Sequence, residues 1–315
     1  MQAVITAEGL TRRYPGVTAL DALALEVPPG IVGLVGANGA GKTTLIKILL
    51  GLLPPTAGTV GVLGLDPVRQ GAKVRELVGY MPEHDCLPPD LSATELVVHM
   101  ARVSGLPATA ARERAADTLR HVGLYEERYR HIGGYSTGMK QRVKLAQALV
   151  HDPALVLLDE PTNGLDPAGR AEMLALVRRV GTEFGISILV SSHHLGEIER
   201  ICTHVVVIDA GRLLRSSAIG GFTERSGVLV VEVDERAGEL AARLADGGIR
   251  TREDGRTLLV DLRDEATYDA IRDAIADLGL GLVRLEQRRA HIEDVFRDAP
   301  PSERRPEEVQ RVGAR

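Results

Sequence analysis

Gly36-Ala37-Asn38-Gly39-Ala40-Gly41-Lys42-Thr43-Thr44 is the stretch on which the reading of this chain turns. It fits the pattern G-x-x-x-x-G-K-[ST]. Residues 31–36 before it are a short, nearly continuous apolar run, as expected of a strand buried on both faces. Residues 43–53 after it have helical character and run up to Pro54-Pro55, which cannot continue a helix. Strand, glycine-rich loop and helix in that order make a phosphate cradle. The glycines let the backbone fold tightly and turn its N–H groups inward, where they join the helix N-terminus in facing anionic oxygens. Gly36, Asn38, Gly39, Ala40, Gly41, Lys42, Thr43 and Thr44 are therefore the expected phosphate-binding set. Lys42 can reach the β- and γ-phosphates of a nucleotide, and Thr43 can ligate Mg²⁺ through its hydroxyl. Only five of the chain's 38 basic residues are lysines, so a Lys at this point is informative.

A second segment, Leu155-Val156-Leu157-Leu158-Asp159-Glu160-Pro161, is an apolar strand that ends in two acids. A strand buried on both faces has no structural reason to end that way. At the carboxyl edge of a parallel sheet the two carboxylates would emerge beside the phosphate loop. Asp159 would hold Mg²⁺, directly or through water. Glu160 would polarise an attacking water, as general base or by orienting it.

Working outward, residues 187–191 and 204–208 are further short apolar runs, with weaker strand candidates at 60–63 and 78–81. Helical patterns at 94–103, 108–122, 139–150 and 168–182 alternate with them. The expected core is thus an α/β fold on a parallel sheet. Residues 4–6 and 22–27 suggest peripheral antiparallel strands. Beyond about residue 217 the texture changes to strand 228–233, helix 238–246, hairpin strands 249–253 and 257–262, helix 265–278 and strand 281–286. That β-α-β-β-α-β order suggests a small ferredoxin-like α+β domain, with Asp254-Gly255 as the hairpin turn. The last fifteen residues, 301–315, are rich in Pro, Glu and Arg and are expected to be a disordered tail.

Composition removes other classes. The 315 residues are 44% hydrophobic, too apolar for a disordered chain, and carry a net charge of −5, which disfavours a nucleic-acid surface. Three Phe, six Tyr and no Trp leave little for base-stacking platforms. The most apolar region, residues 31–53, contains two lysines and five glycines and does not suit a membrane span. The N-terminus lacks the basic start and apolar run of a secretory signal, so a cytosolic chain with no membrane segment is expected. Cys86 and Cys202 lack metal-ligand spacing and read as buried free thiols. His193-His194, read as strand neighbours, would point to opposite faces and share no metal.

A third segment identifies the branch. Tyr135-Ser136-Thr137-Gly138-Met139-Lys140-Gln141-Arg142 resembles the signature motif of ABC-type ATPases, usually Leu-Ser-Gly-Gly-Gln, in a form similar to the exporter branch. Ser136 and the Gly138 backbone precede an amphipathic helix and can offer a hydroxyl, an N–H and a dipole to an anion. The resemblance implies that this anion is a γ-phosphate held by the other subunit of a dimer. Other family elements follow in order. Tyr14, in Arg-Arg-Tyr-Pro-Gly, matches the aromatic that stacks on adenine. Asn163-Gly164-Leu165-Asp166-Pro167 matches the loop that crosses the dimer interface, with Asp166 as its contact residue. Ser191-Ser192-His193 matches the segment of the switch histidine, with His194 left open as an alternative. The resemblance covers about residues 3–217, with a helical subdomain at about 86–150 and the small domain at 218–300.

Two positions depart from the family pattern. Gly79-Tyr80-Met81-Pro82-Glu83 stands where Gly-Tyr-x-Pro-Gln is usual, and Glu83 is expected to keep an oxygen for Mg²⁺ or water. Thr137 stands where the family prefers Gly, with a modest effect expected. His291-Ile292-Glu293-Asp294-Val295-Phe296 resembles a closing motif of exporter ATPase subunits and also reads as a helix docking into the small domain. The resemblance implies an ATP- and Mg²⁺-dependent ATPase subunit of an exporter. It would dimerise with itself or a second ATPase subunit and sit on the inner face of the membrane against a separate permease. The alternatives are an ABC ATPase acting on ribosomes or DNA and a regulatory protein with a vestigial site. The substrate is not readable.

Overall fold

The computed structural model describes residues 2–219, 225–254, 257–262 and 264–289. These divide into two compact units, one ending at Ile219 and the other within 220–300. The segment 291–296, the tail 301–315 and Gly255 of the expected hairpin turn lie outside the described residues.

The first unit opens with β1 (Ile5–Tyr14) and β2 (Val17–Val27), an antiparallel pair, followed by β3 (Ile31–Val35) and helix α1 (Lys42–Leu49). Next come β4 (Ala57–Val62), α2 (Gly71–Leu77) and β5 (Val78–Met81). A helical stretch holds α3 (Ala93–Val103), α4 (Ala108–His121) and α5 (Thr137–Leu149). The chain then alternates through β6 (Leu155–Asp159), α6 (Pro167–Glu183), β7 (Ser187–Ser192), α7 (Leu195–Ile201), β8 (His204–Asp209) and β9 (Arg212–Ala218).

Two sheets result. Strands β2-β1-β4 form an antiparallel sheet, and the main sheet runs β5-β6-β7-β3-β8-β9. All main-sheet pairs are parallel except β8 with β9. Every residue of β3 and of β6 is buried, which is why both read as unbroken apolar runs. Each such Leu or Val contributes about 1.5–3 kcal/mol by leaving water. The order places β6 and β3 on either side of β7, so the carboxyl ends of all three open on one edge.

Helix α1 stops at Leu49, short of the expected residue 53. Gly51 takes φ +66°, and Leu52 N–H bonds back to the Lys47 carbonyl, so a glycine turn closes the helix before the prolines are reached. Strands β1 and β2 are longer than expected, and β9, α2 and α7 are additional elements.

Strand β5 lies against α5 only because Gly79 has no side chain. A Cβ there would fall 2.0 Å from the Ala148 carbonyl oxygen. Gly79→Ala is expected to cost about 1–3 kcal/mol, read as a lower urea midpoint. An unchanged midpoint would show that β5 and α5 part freely.

The second unit contains β10 (Arg225–Val233), α8 (Ala237–Asp246), β11 (Thr251–Asp254), β12 (Thr257–Asp261), α9 (Ala266–Leu278) and β13 (Leu282–Arg289). Its strands pair antiparallel in the order β11-β12-β10-β13. Leu229, Val231, Leu240, Leu244, Leu258, Val260, Ile271 and Ile275 make a core of its own.

Candidate functional site: a phosphate cleft at the carboxyl edge of the sheet

The loop between β3 and α1 is shaped by close approach. A Cβ on Gly36 would meet the Ile208 carbonyl oxygen at 2.5 Å, and one on Gly41 would meet the Ala19 oxygen at the same distance. Gly41 also carries φ +103°, which only glycine adopts freely, and it caps α1. The loop thus wraps around the N-terminus of α1, whose first turn has no acidic residue to compete for an anion.

Lys42 opens that helix with its side chain folded over the loop. Its Nζ donates to the Gly36 carbonyl at 2.6 Å and the Ala37 carbonyl at 3.3 Å, and lies 3.6 Å from Glu160 Oε1. Thr43 Oγ1 donates to Asp159 Oδ2 at 3.2 Å across 116 residues of sequence. The two acids that end β6 therefore do meet the phosphate loop.

One buried hydroxyl fixes both acids. Ser191 Oγ donates to Asp159 Oδ1 at 2.7 Å and accepts from the Glu160 N–H at 3.0 Å. Ser191 is fully buried. Glu160 stands at φ +50°, a left-handed conformation that costs a side-chain-bearing residue on the order of 1–3 kcal/mol. That turn aims its carboxylate into the cleft rather than along the strand, and Oε2 lies 2.9 Å from His193 Nδ1. The role of Ser191 was not read from sequence, where it was only part of the segment leading to His193. Ser191→Ala is expected to cost about 1–3 kcal/mol by leaving the Glu160 N–H and Asp159 short of a partner. Urea denaturation measures this, and a stability equal to wild type would show that the hydroxyl holds neither group.

Between the two candidate histidines the geometry chooses His193 for contact with Glu160. The strand β7 ends at Ser192, so His193 and His194 lie in the following loop. Their rings are neighbours, with centroids 4.0 Å apart, and do not point to opposite faces as two strand residues would.

Ala37, Asn38, Gly39, Ala40, Gly41, Lys42, Thr43, Thr44, Glu83, Asp159, Glu160, Asn163 and His193 line one cleft. Glu83 reaches it from the loop after β5, where its Oε1 accepts from Asn163 Nδ2 at 3.2 Å. Tyr80 on β5 is pushed up to about 12 by burial and by Asp159, so its phenol stays protonated. Lys144 on α5 is drawn below the ordinary lysine value by its burial.

Five expected site residues stand outside this cleft's lining. Gly36 opens the loop, with its carbonyl turned to Lys42 Nζ. Tyr14 is exposed at the end of β1, with the Arg12 guanidinium 4.8 Å from its ring centre. Ser136 caps α5, accepting from the Met139 N–H at 3.3 Å, and Gly138 sits in the first turn behind it. Asp166 caps α6 through the Gly169 N–H at 3.0 Å. Thr137, the residue without the family's glycine, is exposed at the same helix start. Of the two thiols only Cys202 is buried, and Cys86 is exposed in the loop between β5 and α3. Burial pushes the Cys202 thiol up.

Residues 20–163 match the ABC transporter family. The daunorubicin resistance ATP-binding protein DrrA3 of Streptomyces coeruleorubidus is 34% identical over 97% of this chain and 98% of its own. The Nod factor export ATP-binding protein I of Cupriavidus metallidurans is 36% identical over 94% of this chain and 97% of its own. Among solved structures, cbiO1 of Clostridium perfringens, part of the ABC transporter complex cbiONQ, superposes with a TM-score of 0.65. It shares 27% identity, covering 79% of this chain and 98% of that one. The chain belongs to the ATP-binding subunits of ABC transporters. It is an ATP-hydrolysing subunit of the exporter type; the relatives do not favour the ribosome- or DNA-acting and vestigial alternatives. Among the described residues no helix is long and apolar enough to cross a membrane.

Proposed function

We propose that two ATPase subunits, two copies of this chain or this chain and a second one, sandwich two Mg-ATP head to tail and so drive a separate membrane permease that exports its substrate. Each site takes the cleft of one subunit and the Ser136–Gly138 segment and Asp166 of the other. The position of Ser136, Gly138 and Asp166 outside the cleft's lining supports this division, because in a lone chain they have no phosphate to touch. Tyr14, paired across β1 and β2 with the cleft-lining Val17, stacks on adenine. The Gly36–Thr44 loop holds the phosphates, Lys42 neutralises the β- and γ-oxygens, and His193 senses the γ-phosphate. Glu160 orients or deprotonates the attacking water. The observation that carries the reading is Glu160, turned into the cleft between Lys42 at 3.6 Å and His193 at 2.9 Å.

Thr43, Asp159 and Glu83 fit Mg²⁺. All three offer hard oxygens, and the Thr43 and Asp159 oxygens already lie 3.2 Å apart. Among the described residues no group of three or more His, Cys, Asp or Glu could hold a metal by itself. Mg²⁺ in such sites is usually held by one or two carboxylates plus phosphate and water, and Asp159 and Glu83 would provide those carboxylates beside the Thr43 hydroxyl. When bound, the ion would neutralise charge on the phosphate oxygens; Asp159 and Thr43 hold its position.

Export is supported by the relatives, whose names concern drug resistance and Nod factor export. The chain divides into an ATPase domain to about residue 217 and a second domain that we read as ferredoxin-like. The β-α-β-β-α-β order and the strand order β11-β12-β10-β13 support that reading. We place the chain in the cytoplasm, on the inner face of the membrane. Cell fractionation tests this: the chain should sediment with membranes and be released by an alkaline carbonate wash. Recovery only in the soluble fraction, or resistance to the wash, contradicts it.

A further inference from the structure

Two of the chain's five lysines grip one loop. Lys140 and Lys144 lie four residues apart, on the same face of α5. Lys140 Nζ lies 3.2 Å from Asp85 Oδ2 in an exposed pair. Lys144 is different. It is 3% exposed, and its Nζ donates to the Pro82 carbonyl at 2.8 Å and the Glu83 carbonyl at 3.0 Å. One turn earlier, buried Gln141 donates to the Asn163 carbonyl at 3.0 Å, and Asn163 in turn donates to the Glu83 carboxylate at 3.2 Å. Helix α5 therefore holds Glu83 at both its backbone and, through Asn163, its side chain. Burying an ammonium is costly unless its bonds are made, so the two carbonyls must converge on Lys144 for this stretch to pack.

We propose that Lys144 is the positioning residue for Glu83: by clamping the Pro82 and Glu83 carbonyls it keeps the Glu83 carboxylate in the phosphate cleft, where it serves Mg²⁺. The proposal rests on the reading of Glu83 as a metal-binding residue. Its physical content is that Glu83 sits on a loop with no strand or helix of its own, between β5 and α3. Without the clamp the backbone would be free to turn the side chain away from Asn163. Ser136 caps the same helix, so the Lys144 ammonium also ties the signature segment to the loop that carries Glu83.

The test is equilibrium binding of a fluorescent, non-hydrolysable ATP analogue to the full chain during a MgCl₂ titration. In Lys144→Met the Mg²⁺ concentration at half-maximal effect should rise about tenfold, as for other residues that orient a metal ligand. Binding in EDTA should change less than about twofold, since Lys42 and the loop are untouched. Glu83→Ala should shift the Mg²⁺ midpoint similarly, and the double variant should shift it no further than Glu83→Ala alone. If Lys144→Met does not fold, Lys144→Gln, which keeps an uncharged amide donor on a shorter stem, is read against the same expectation with a smaller shift. A normal midpoint in the Lys144 variant beside a shifted one in Glu83→Ala overturns the clamp alone. So does a shift in the double variant that adds to that of Glu83→Ala. A normal midpoint in Glu83→Ala overturns the reading of Glu83, and the clamp with it.

Discussion

Lys42→Ala is expected to abolish productive ATP binding. The cleft presents three carboxylates, Glu83, Asp159 and Glu160, and Lys42 is the single Lys or Arg among its described lining residues. A triphosphate brings further negative charge to the same space. With the ammonium gone, no Lys or Arg of the described lining faces the phosphates, which are left to backbone N–H groups and to side chains such as Asn38, Thr43, Thr44 and His193. Losing one charge-assisted contact to a bound anion costs about 2–5 kcal/mol, or roughly 10–10³-fold. Calorimetric titration with ATP should show affinity reduced by that order and no measurable turnover. Wild-type affinity would mean that the backbone cradle alone holds the phosphates. A melting curve must accompany it, because the substitution also removes the partner 3.6 Å from buried Glu160.

Glu160→Gln should separate binding from hydrolysis. The amide keeps the size and the turned backbone of Glu160 but cannot take a proton from water. Loss of a positioned base lowers turnover on the order of 10²–10³-fold. Affinity for ATP should not fall, because one negative charge facing the phosphates has been removed. With binding intact and hydrolysis blocked, the closed dimer should accumulate. His193, 2.9 Å from the other carboxylate oxygen, makes the geometry at Glu160 depend on a second side chain, so His193→Ala should lower turnover as well.

Much of this cleft is drawn from contiguous motifs, which a sequence displays directly. Strand β6, Leu155–Asp159, falls where the apolar run of 155–161 places it, because burial on both faces leaves that run unbroken up to the first acid. Strands β1 and β2 were recognised only in part. Their register shifts between Ala7 and Leu10, Leu10 and Arg12, and Arg12 and Arg13, and each irregularity breaks the two-residue alternation that marks a strand. Strand β9 is mostly polar and exposed along an edge, and α2 and α7 have only seven residues each, too short to display a helical period.

What the sequence hides is the set of bonds that bring distant motifs together. Ser191 reaches Asp159 across 32 residues and Lys144 reaches Pro82 across 62. Glu197 on α7 accepts from Thr162 at 2.7 Å and from Ser192 at 3.2 Å, tying the loop after Glu160 to the end of β7, just before His193. No spacing rule announces such contacts, since they depend on which strands become neighbours. Cys86 shows the converse: residue type suggested burial, and a loop position overruled it.

The central claim is that Glu160 activates water within a cleft built by Gly36–Thr44, Asp159 and His193. Phosphate release and retained nucleotide, measured together on wild-type protein and Glu160→Gln at saturating Mg-ATP, test it most directly. The wild type should release phosphate steadily. Glu160→Gln should release it on the order of 10²–10³-fold more slowly, with ATP, not ADP, retained on the protein. Release from Glu160→Gln at the wild-type rate would contradict it.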